Sequence, residues 1–294
     1  MKLLVTGSQG QLGSRIVEAL RAQAAHDVVA LPRESLDITD REAVLDAVGA
    51  SRPDWILNCA AYTDVERAES ERAEAFRLNA EAVGLLADAA ERHGARLLHP
   101  STDYVFSGDF EDEAPRPYHE EDAPAPLSVY GASKLAGEMR LRGHGVRSLI
   151  VRTSWLYGGP GRNFLSTMLR LGREAEASKK PVRVVGDQRG SPTDAPSLAR
   201  QIIRLVEAGA EGLVHASAHG EATWHELAAE IFVRAGLHPE LERITTAEYP
   251  SRARRPPYSV LENRKLRGLG LDILPPWKEG LERALRGGEG RAPP

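Results

Sequence analysis

The sequence predicts an α/β fold, a doubly wound parallel sheet with a smaller, mostly helical C-terminal part. Short apolar runs alternate with amphipathic stretches through most of the chain: Lys2–Thr6, Asp27–Leu31, Trp55–Cys59, Arg96–Ser101 and Arg147–Thr153. The first run opens directly into glycines at a fixed spacing and then a helical pattern. From Thr223 onward the alternation gives way to helices and loops.

Lys2–Thr6 reads as a buried strand, and Gly7-Ser8-Gln9-Gly10-Gln11-Leu12-Gly13 follows it without a break. Ile16, Val17 and Leu20 then share one face of a helix. Strand, glycine turn and helix in this order form a phosphate cradle. Gly7 permits the tight turn, Gly10 lets backbone approach a pyrophosphate, and Gly13 lets the helix pack close to the strand. The helix N-terminus adds free N–H groups and a positive dipole end. The spacing is G-x-x-G-x-x-G; its position after a clean strand points to dinucleotide binding rather than a merely structural turn. Asp27–Leu31 is the second strand, and no carboxylate stands at its end, where Ala30-Leu31-Pro32-Arg33 occur. A 2′-phosphate is therefore tolerated there, and Arg33 is a candidate partner for it or a plain surface residue. Asp37 and Ile38 follow at the adenine end. NADPH is expected to work at least as well as NADH.

Asp40–Gly49 is expected to be helical. The third strand, Trp55–Cys59, ends in Ala60-Ala61-Tyr62-Thr63, small residues that let a ribose come close. A long helix over Ala73–His93 leads, past Gly94, into the fourth strand, Arg96–Ser101. That places Pro100, Ser101 and Thr102 at a strand's C-terminal end, the edge where open α/β sheets bind ligands. Residues 109–126 carry seven Asp/Glu and four Pro, and read as a solvated loop. A helix over Ser128–Arg142 then sets Tyr130 and Lys134 one turn apart on one face. A phenol titrates near 10, too high for acid–base work at neutrality unless it is perturbed. A lysine ammonium one turn away would pull it down, and the phenol could then exchange a proton with a substrate oxygen. Thr102 or Ser101 could hydrogen-bond that same oxygen. A Tyr-x-x-x-Lys pair by itself more often lies on a solvated helix face; the glycine turn upstream is what ties this one to chemistry.

Beyond the fifth strand, Trp155 either faces the cleft, to stack on a sugar or base, or belongs to the core. Phe164–Leu171 and Trp224–Ala235 read as helices, and strands near 182–185 and 213–216 as completing the sheet. Tyr249–Pro256 is a basic loop, suited to a diphosphate through arginines or simply solvated. Gly287–Pro294 reads as a frayed end. The division expected is 1–156 for the dinucleotide and 157–294 mainly for a substrate.

A net charge of −4 gives no basic field for nucleic acid. The lone Cys59 excludes an internal disulfide framework, and no Cys/His cluster suggests zinc. The apolar run at the N-terminus is too short for a signal-peptide core, and no stretch approaches the roughly 18 apolar residues of a membrane span. A soluble, cytoplasmic protein is expected. Thirty-two Arg against six Lys fits thermal adaptation and coding bias equally.

Taken together, GQLG at Gly10–Gly13, NCAAYTDVERA at Asn58–Ala68, STDYVF at Ser101–Phe106, YGASKLAGE at Tyr130–Glu138, RTSWLYG at Arg152–Gly158, DQRGSPT at Asp187–Thr193 and ARRP at Ala253–Pro256 resemble the dTDP-4-dehydrorhamnose reductases. These belong to the extended short-chain dehydrogenase/reductase superfamily, with a Rossmann-like fold. The resemblance spans nearly the whole chain, in order. It implies reduction of the C4 ketone of dTDP-4-dehydro-L-rhamnose to dTDP-L-rhamnose with NADPH or NADH. It implies Tyr130 as proton donor, Lys134 holding the nicotinamide ribose, and Thr102 on the substrate oxygen with Asp103 beside it. Gly10, Gln11, Leu12, Asp37, Ile38, Ala61, Tyr62, Thr63 and Pro100 would contact cofactor, to which the glycine turn and the end of the third strand add Gly7, Gly13 and Ala60, and Trp155 would contact the substrate sugar. A homodimer is implied, and in some members Mg2+ at its interface, though no ligand cluster in this sequence supports a metal. Two rivals share the fold: a nucleotide-sugar epimerase or dehydratase, and a non-catalytic regulatory subunit of the kind that partners methionine adenosyltransferase. A dehydratase would set a carboxylate pair beside Thr102, and here Tyr104 follows Asp103. A binding-only role does not follow from lost groups, since Tyr130 and Lys134 are both present.

Overall fold

A computed structural model describes residues 1–110 and 113–286. The chain runs β1 (Lys2–Thr6), α1 (Gln11–Gln23), β2 (Asp27–Leu31), α2 (Arg41–Ser51), β3 (Trp55–Asn58), α3 (Val65–Ala68), α4 (Arg72–Phe76), α5 (Ala82–His93), β4 (Arg96–Thr102), α6 (Val129–Arg142) and β5 (Ser148–Thr153). With the strand Gly212–His215, these form a six-stranded sheet in the order Gly212–His215, β5, β4, β3, β1, β2. Every pairing in it is parallel. The order reverses between β1 and β3, so the crevice at that switch point is where the topology puts a ligand.

The inner strands β1, β3, β4 and β5 are largely buried on both faces, as parallel strands under helices must be, while the edge strand β2 is not. Leu3 and Val5 point to one side, against Ile16 and Leu20 of α1 and Leu198 and Ile202 of the helix Ala195–Glu207. Leu4, Ile56 and Leu97 point to the other, against Val44 and Val48 of α2 and Val83 and Leu86 of α5. A third apolar cluster holds the C-terminal part together, with Leu165, Leu169, Leu227, Ile231, Trp277 and Leu281.

Three expectations need correction. Val182–Val185 is a strand, but it lies outside the central sheet and pairs in parallel with Leu241–Ile244, a strand that the sequence reading missed. Arg183 in its middle is exposed, so it has one dry face only, unlike the central strands. The helix expected over Ala73–His93 starts at Arg72 and contains a π-helical segment, Arg77–Glu81, between α4 and α5. The acidic loop is not wholly solvated. Glu120 is buried and accepts the backbone N–H groups of His215 at 3.1 Å and Lys265 at 3.0 Å. Glu111 and Asp112 of that loop, and the terminal stretch Gly287–Pro294, lie outside the described residues. Among the described residues no helix is long and apolar enough to cross a membrane.

Candidate active site

The glycine turn connects β1 to α1 at the switch point. Gly7 has a φ of +58°, and a Cβ there would lie 2.6 Å from the Ala60 nitrogen. A Cβ on Gly13 would lie 2.3 Å from the Gly7 carbonyl oxygen. The first demand is conformational and the second steric, so neither position admits a side chain. α1 starts at Gln11 with no side-chain cap and no acid in its first turn, which leaves its N–H groups for an anion. The Gln11 Oε1 beside them is buried without a hydrogen-bond partner. These features fit a dinucleotide pyrophosphate.

At the end of β2, Asp37 accepts the Thr39 N–H at 2.9 Å and the Thr39 hydroxyl at 2.7 Å. Those bonds, with Arg77 and Arg33 nearby, hold its carboxyl below the usual range. Ile38 is buried beneath, and Arg33 is exposed. Arg77 is committed to Glu74 at 2.8 Å, which leaves Arg33 as the exposed cation here for an added phosphate.

Ala60–Thr63 leaves β3 as a strap. The Asn79 amide, in the π-helical segment, clips it: the Tyr62 N–H donates to Oδ1 at 2.9 Å, and Nδ2 donates to the Tyr62 carbonyl at 2.9 Å. The same Nδ2 lies 2.9 Å from Ser133 Oγ on α6. The Tyr62 hydroxyl donates to Glu71 at 2.7 Å, and its pKa is pushed up to about 12 by burial and that bond.

Thr102 ends β4, and Ser128 caps α6 through the Gly131 N–H, which fixes Tyr130 in the first turn of the helix. The Thr102 hydroxyl is the one group that works to lower the Tyr130 phenol's pKa. Thr102 also accepts the Tyr104 N–H at 3.1 Å and lies 3.2 Å from Asp103 Oδ1. Asp103 is buried, and Ser154 and Ser259 donate hydroxyls to its Oδ2 at 3.0 and 2.5 Å. Burial still raises its pKa to about 6. Tyr104 meets Tyr130 edge to face, with ring centres 5.9 Å apart.

The expected depression of the Tyr130 pKa is not found in the free protein. Burial pushes the phenol up to about 12, and the opposing influence comes from the Thr102 side chain, not from Lys134. Lys134 is itself buried, which brings it down to about 8. Its Nζ lies 3.4 Å from His99 Nε2. Farther along α6, Glu138 and Arg152 of β5 form a buried, two-pronged ion pair at 2.8 and 2.7 Å.

The remaining expected residues are placed as follows. Pro100 lies in β4, half-buried, two residues before Thr102. Ser101 is buried with its hydroxyl unpartnered. Trp155 is buried, has a φ of +46°, and stacks flat on Trp224 at 3.4 Å between ring centres. One face of its indole is thus taken by Trp224. In the basic loop, Arg255 is committed to Glu66 at 2.6 Å and to Ser251, whereas Arg252 and Arg254 are exposed. Among the described residues no group of three or more His, Cys, Asp or Glu side chains could hold a metal ion. Sequence reasoning missed His99, Asn79 and Ser259. His99 carries a readable signal, a polar residue inside an otherwise apolar strand end.

Residues 1–288 match the family described as the RmlD substrate binding domain. A dTDP-4-dehydrorhamnose reductase of Mycobacterium tuberculosis is 42% identical over 97% of this chain and 92% of its own. The chain belongs to the dTDP-4-dehydrorhamnose reductase family. A second relative within this reductase family's range is a probable dTDP-4,6-dihydroxy-2-methyloxan-3-one 4-ketoreductase of Streptomyces antibioticus, 43% identical over 97% of this chain and 95% of its own. A solved dTDP-4-dehydrorhamnose reductase of Bacillus anthracis, in complex with NADP, superposes with a TM-score of 0.91 at 40% identity, covering 97% of this chain and 99% of that one.

Proposed function

We propose that this chain reduces the C4 ketone of dTDP-4-dehydro-L-rhamnose to give dTDP-L-rhamnose, with NADPH or NADH as reductant. The observation that carries this is that Thr102 at the end of β4 and Tyr130 on α6 both pack against Tyr104 at the sheet edge, beside a glycine turn that fits a pyrophosphate. Both relatives named above act, by their names, on dTDP-linked sugars, and the ketone is the chemistry they share.

Residues 1–156, with the strand Gly212–His215, take the dinucleotide, and 157–294 mainly take the sugar nucleotide. Gly7, Gly10, Gln11, Leu12 and Gly13 hold the pyrophosphate. Asp37 and Ile38 take the adenosine end, with Arg33 positioned to pair with a 2′-phosphate. Ala60–Thr63 and Pro100 line the inner ribose and the nicotinamide. When bound, the reduced nicotinamide supplies the hydride. Negative charge then grows on the ketone oxygen, and donors aimed at that oxygen stabilise the transition state more than the ground state. Tyr130, protonated at neutral pH like any phenol and more so for its burial, gives that oxygen its proton. Thr102 orients the oxygen, and Asp103 orients Thr102. Lys134 holds the inner ribose and offers positive charge to the phenolate left behind. Trp155 and Trp224 form the aromatic wall on the sugar side.

The test is NADPH consumption on a panel of dTDP-4-keto sugars, with products identified by NMR. Net oxidation giving dTDP-L-rhamnose is expected. Turnover without net NADPH oxidation would assign an epimerase or dehydratase instead, and no turnover with any sugar would remove the enzymatic reading.

A further inference from the structure

His99 lies in β4, three residues before Thr102, and is 1% exposed. Its Nε2 is 3.4 Å from Lys134 Nζ, and its Nδ1 is 3.3 Å from Asn58 Nδ2. Asn58 is held in turn, because its Oδ1 accepts the Thr6 hydroxyl at 2.8 Å. Thr6 immediately precedes the glycine turn, and its hydroxyl accepts the Ala60 N–H at 3.4 Å. Among the described residues, His99 is the one hydrogen-bond partner of the Lys134 amino group. A continuous string therefore runs from the glycine turn through Asn58 and His99 to Lys134.

We propose that His99 is a positioning residue for the reaction: its ring, aimed by Asn58, fixes the Lys134 amino group between the glycine turn and Tyr130. The inference rests on the role given to Lys134 above. A lysine carries four rotatable bonds, and a buried one without a partner has no reason to hold a single position. A carboxylate at this place would anchor it more strongly, but would cancel the charge that the phenolate needs. An imidazole kept neutral anchors without cancelling. His99 is so kept, by burial and by the Lys134 charge. The other titratable groups facing Lys134 are Glu138 from its own helix and Cys59 from the end of β3. Glu138 already spends both oxygens on Arg152. Gly137 on α6 leaves space for the His99 ring, since a Cβ there would lie 3.3 Å from Nε2.

The test compares His99→Phe with His99→Gln in the full chain. Phe keeps a ring and removes both nitrogens; Gln restores a polar group at reach. A hydrogen bond to a charged group corresponds to about one pKa unit. In H99F the alkaline limb of kcat/KM should move to lower pH by about that much. The NADPH dissociation constant, read by fluorescence without substrate, should rise about tenfold, since each unit is a factor of ten. H99Q should stay near the unsubstituted protein in both. A folded H99F with an unmoved limb and unchanged NADPH affinity overturns the proposal. If H99F does not fold, Asn58→Ala leaves the ring in place but unaimed, and an unmoved limb there overturns it equally. Lys134→Met separates the two levels. Full activity in K134M removes the role of Lys134 itself, whereas an inactive K134M beside an unaffected H99F removes only the role of His99.

Discussion

The Glu66 carboxylate meets the Arg255 guanidinium at 2.6 Å, and it also takes the Ser251 hydroxyl at 2.7 Å and the Arg252 N–H at 2.9 Å. One acid on α3, next to the strap expected to touch cofactor, thus fastens a loop of the substrate-side part. Arg255 also reaches Tyr104, whose ring abuts Tyr130. Replacing Glu66 by Gln should loosen that loop. The KM for the sugar nucleotide should rise roughly tenfold, the weight of one or two charge-assisted bonds, with a smaller change in the KM for NADPH. Steady-state kinetics with each substrate varied in turn would check this.

Tyr130→Phe removes the proton that the developing alkoxide needs and little else, since Thr102 and the packing around the ring remain. Positioned proton transfer contributes about 10²–10⁴ in rate. A drop of that size in kcat, with NADPH affinity preserved, is expected in single-turnover measurements.

Gly7→Ala places a methyl group 2.6 Å from the Ala60 backbone at a φ of +58°, a conformation that L-residues rarely adopt. The turn must shift, and the pyrophosphate cradle shifts with it. Calorimetry should find NADPH binding weakened by at least tenfold, and thermal melting should find a stability loss on the order of 1–3 kcal/mol.

His215 gives a pH dependence. Burial, then the nearby Arg152, brings its pKa down from 6.5 to about 3. Between those values the unfolded chain takes up a proton that the folded chain refuses, so stability falls as pH falls through that window. Its slope is about 1.4 kcal/mol per pH unit. Asp103 works oppositely between its ordinary value of 3.8 and about 6, because the folded state there holds the extra proton. Urea midpoints from pH 7 to 4 for the unsubstituted chain and for His215→Asn should converge toward acid; parallel curves would contradict the assignment.

How far these features could be read beforehand depended on their range along the chain. β1, its glycine turn and α1 are written in adjacent residues, and the period of apolar positions located them almost to the residue. The Tyr130–Lys134 spacing was likewise local. What escaped was set by distant partners. Val182–Val185 and Leu241–Ile244 find each other across more than fifty residues, and a four-residue apolar run carries no information about which sheet it joins. The burial of Glu120 depends on two backbone N–H groups from the far end of the chain. The Tyr130 pKa went in the opposite direction because helical spacing reports which face two side chains share, not whether they touch.

The π-helical segment Arg77–Glu81 gives a helix one more residue than its length in ordinary turns requires. The surplus is what rolls the Asn79 amide toward both the Tyr62 peptide and Ser133. Excising one residue would rotate everything beyond it by about 100° and turn Asn79 toward the solvent. The helix would gain regularity and the protein would lose its stitch between strap and catalytic helix. An irregular winding in the scaffold is thereby what keeps two separate walls of the crevice in register.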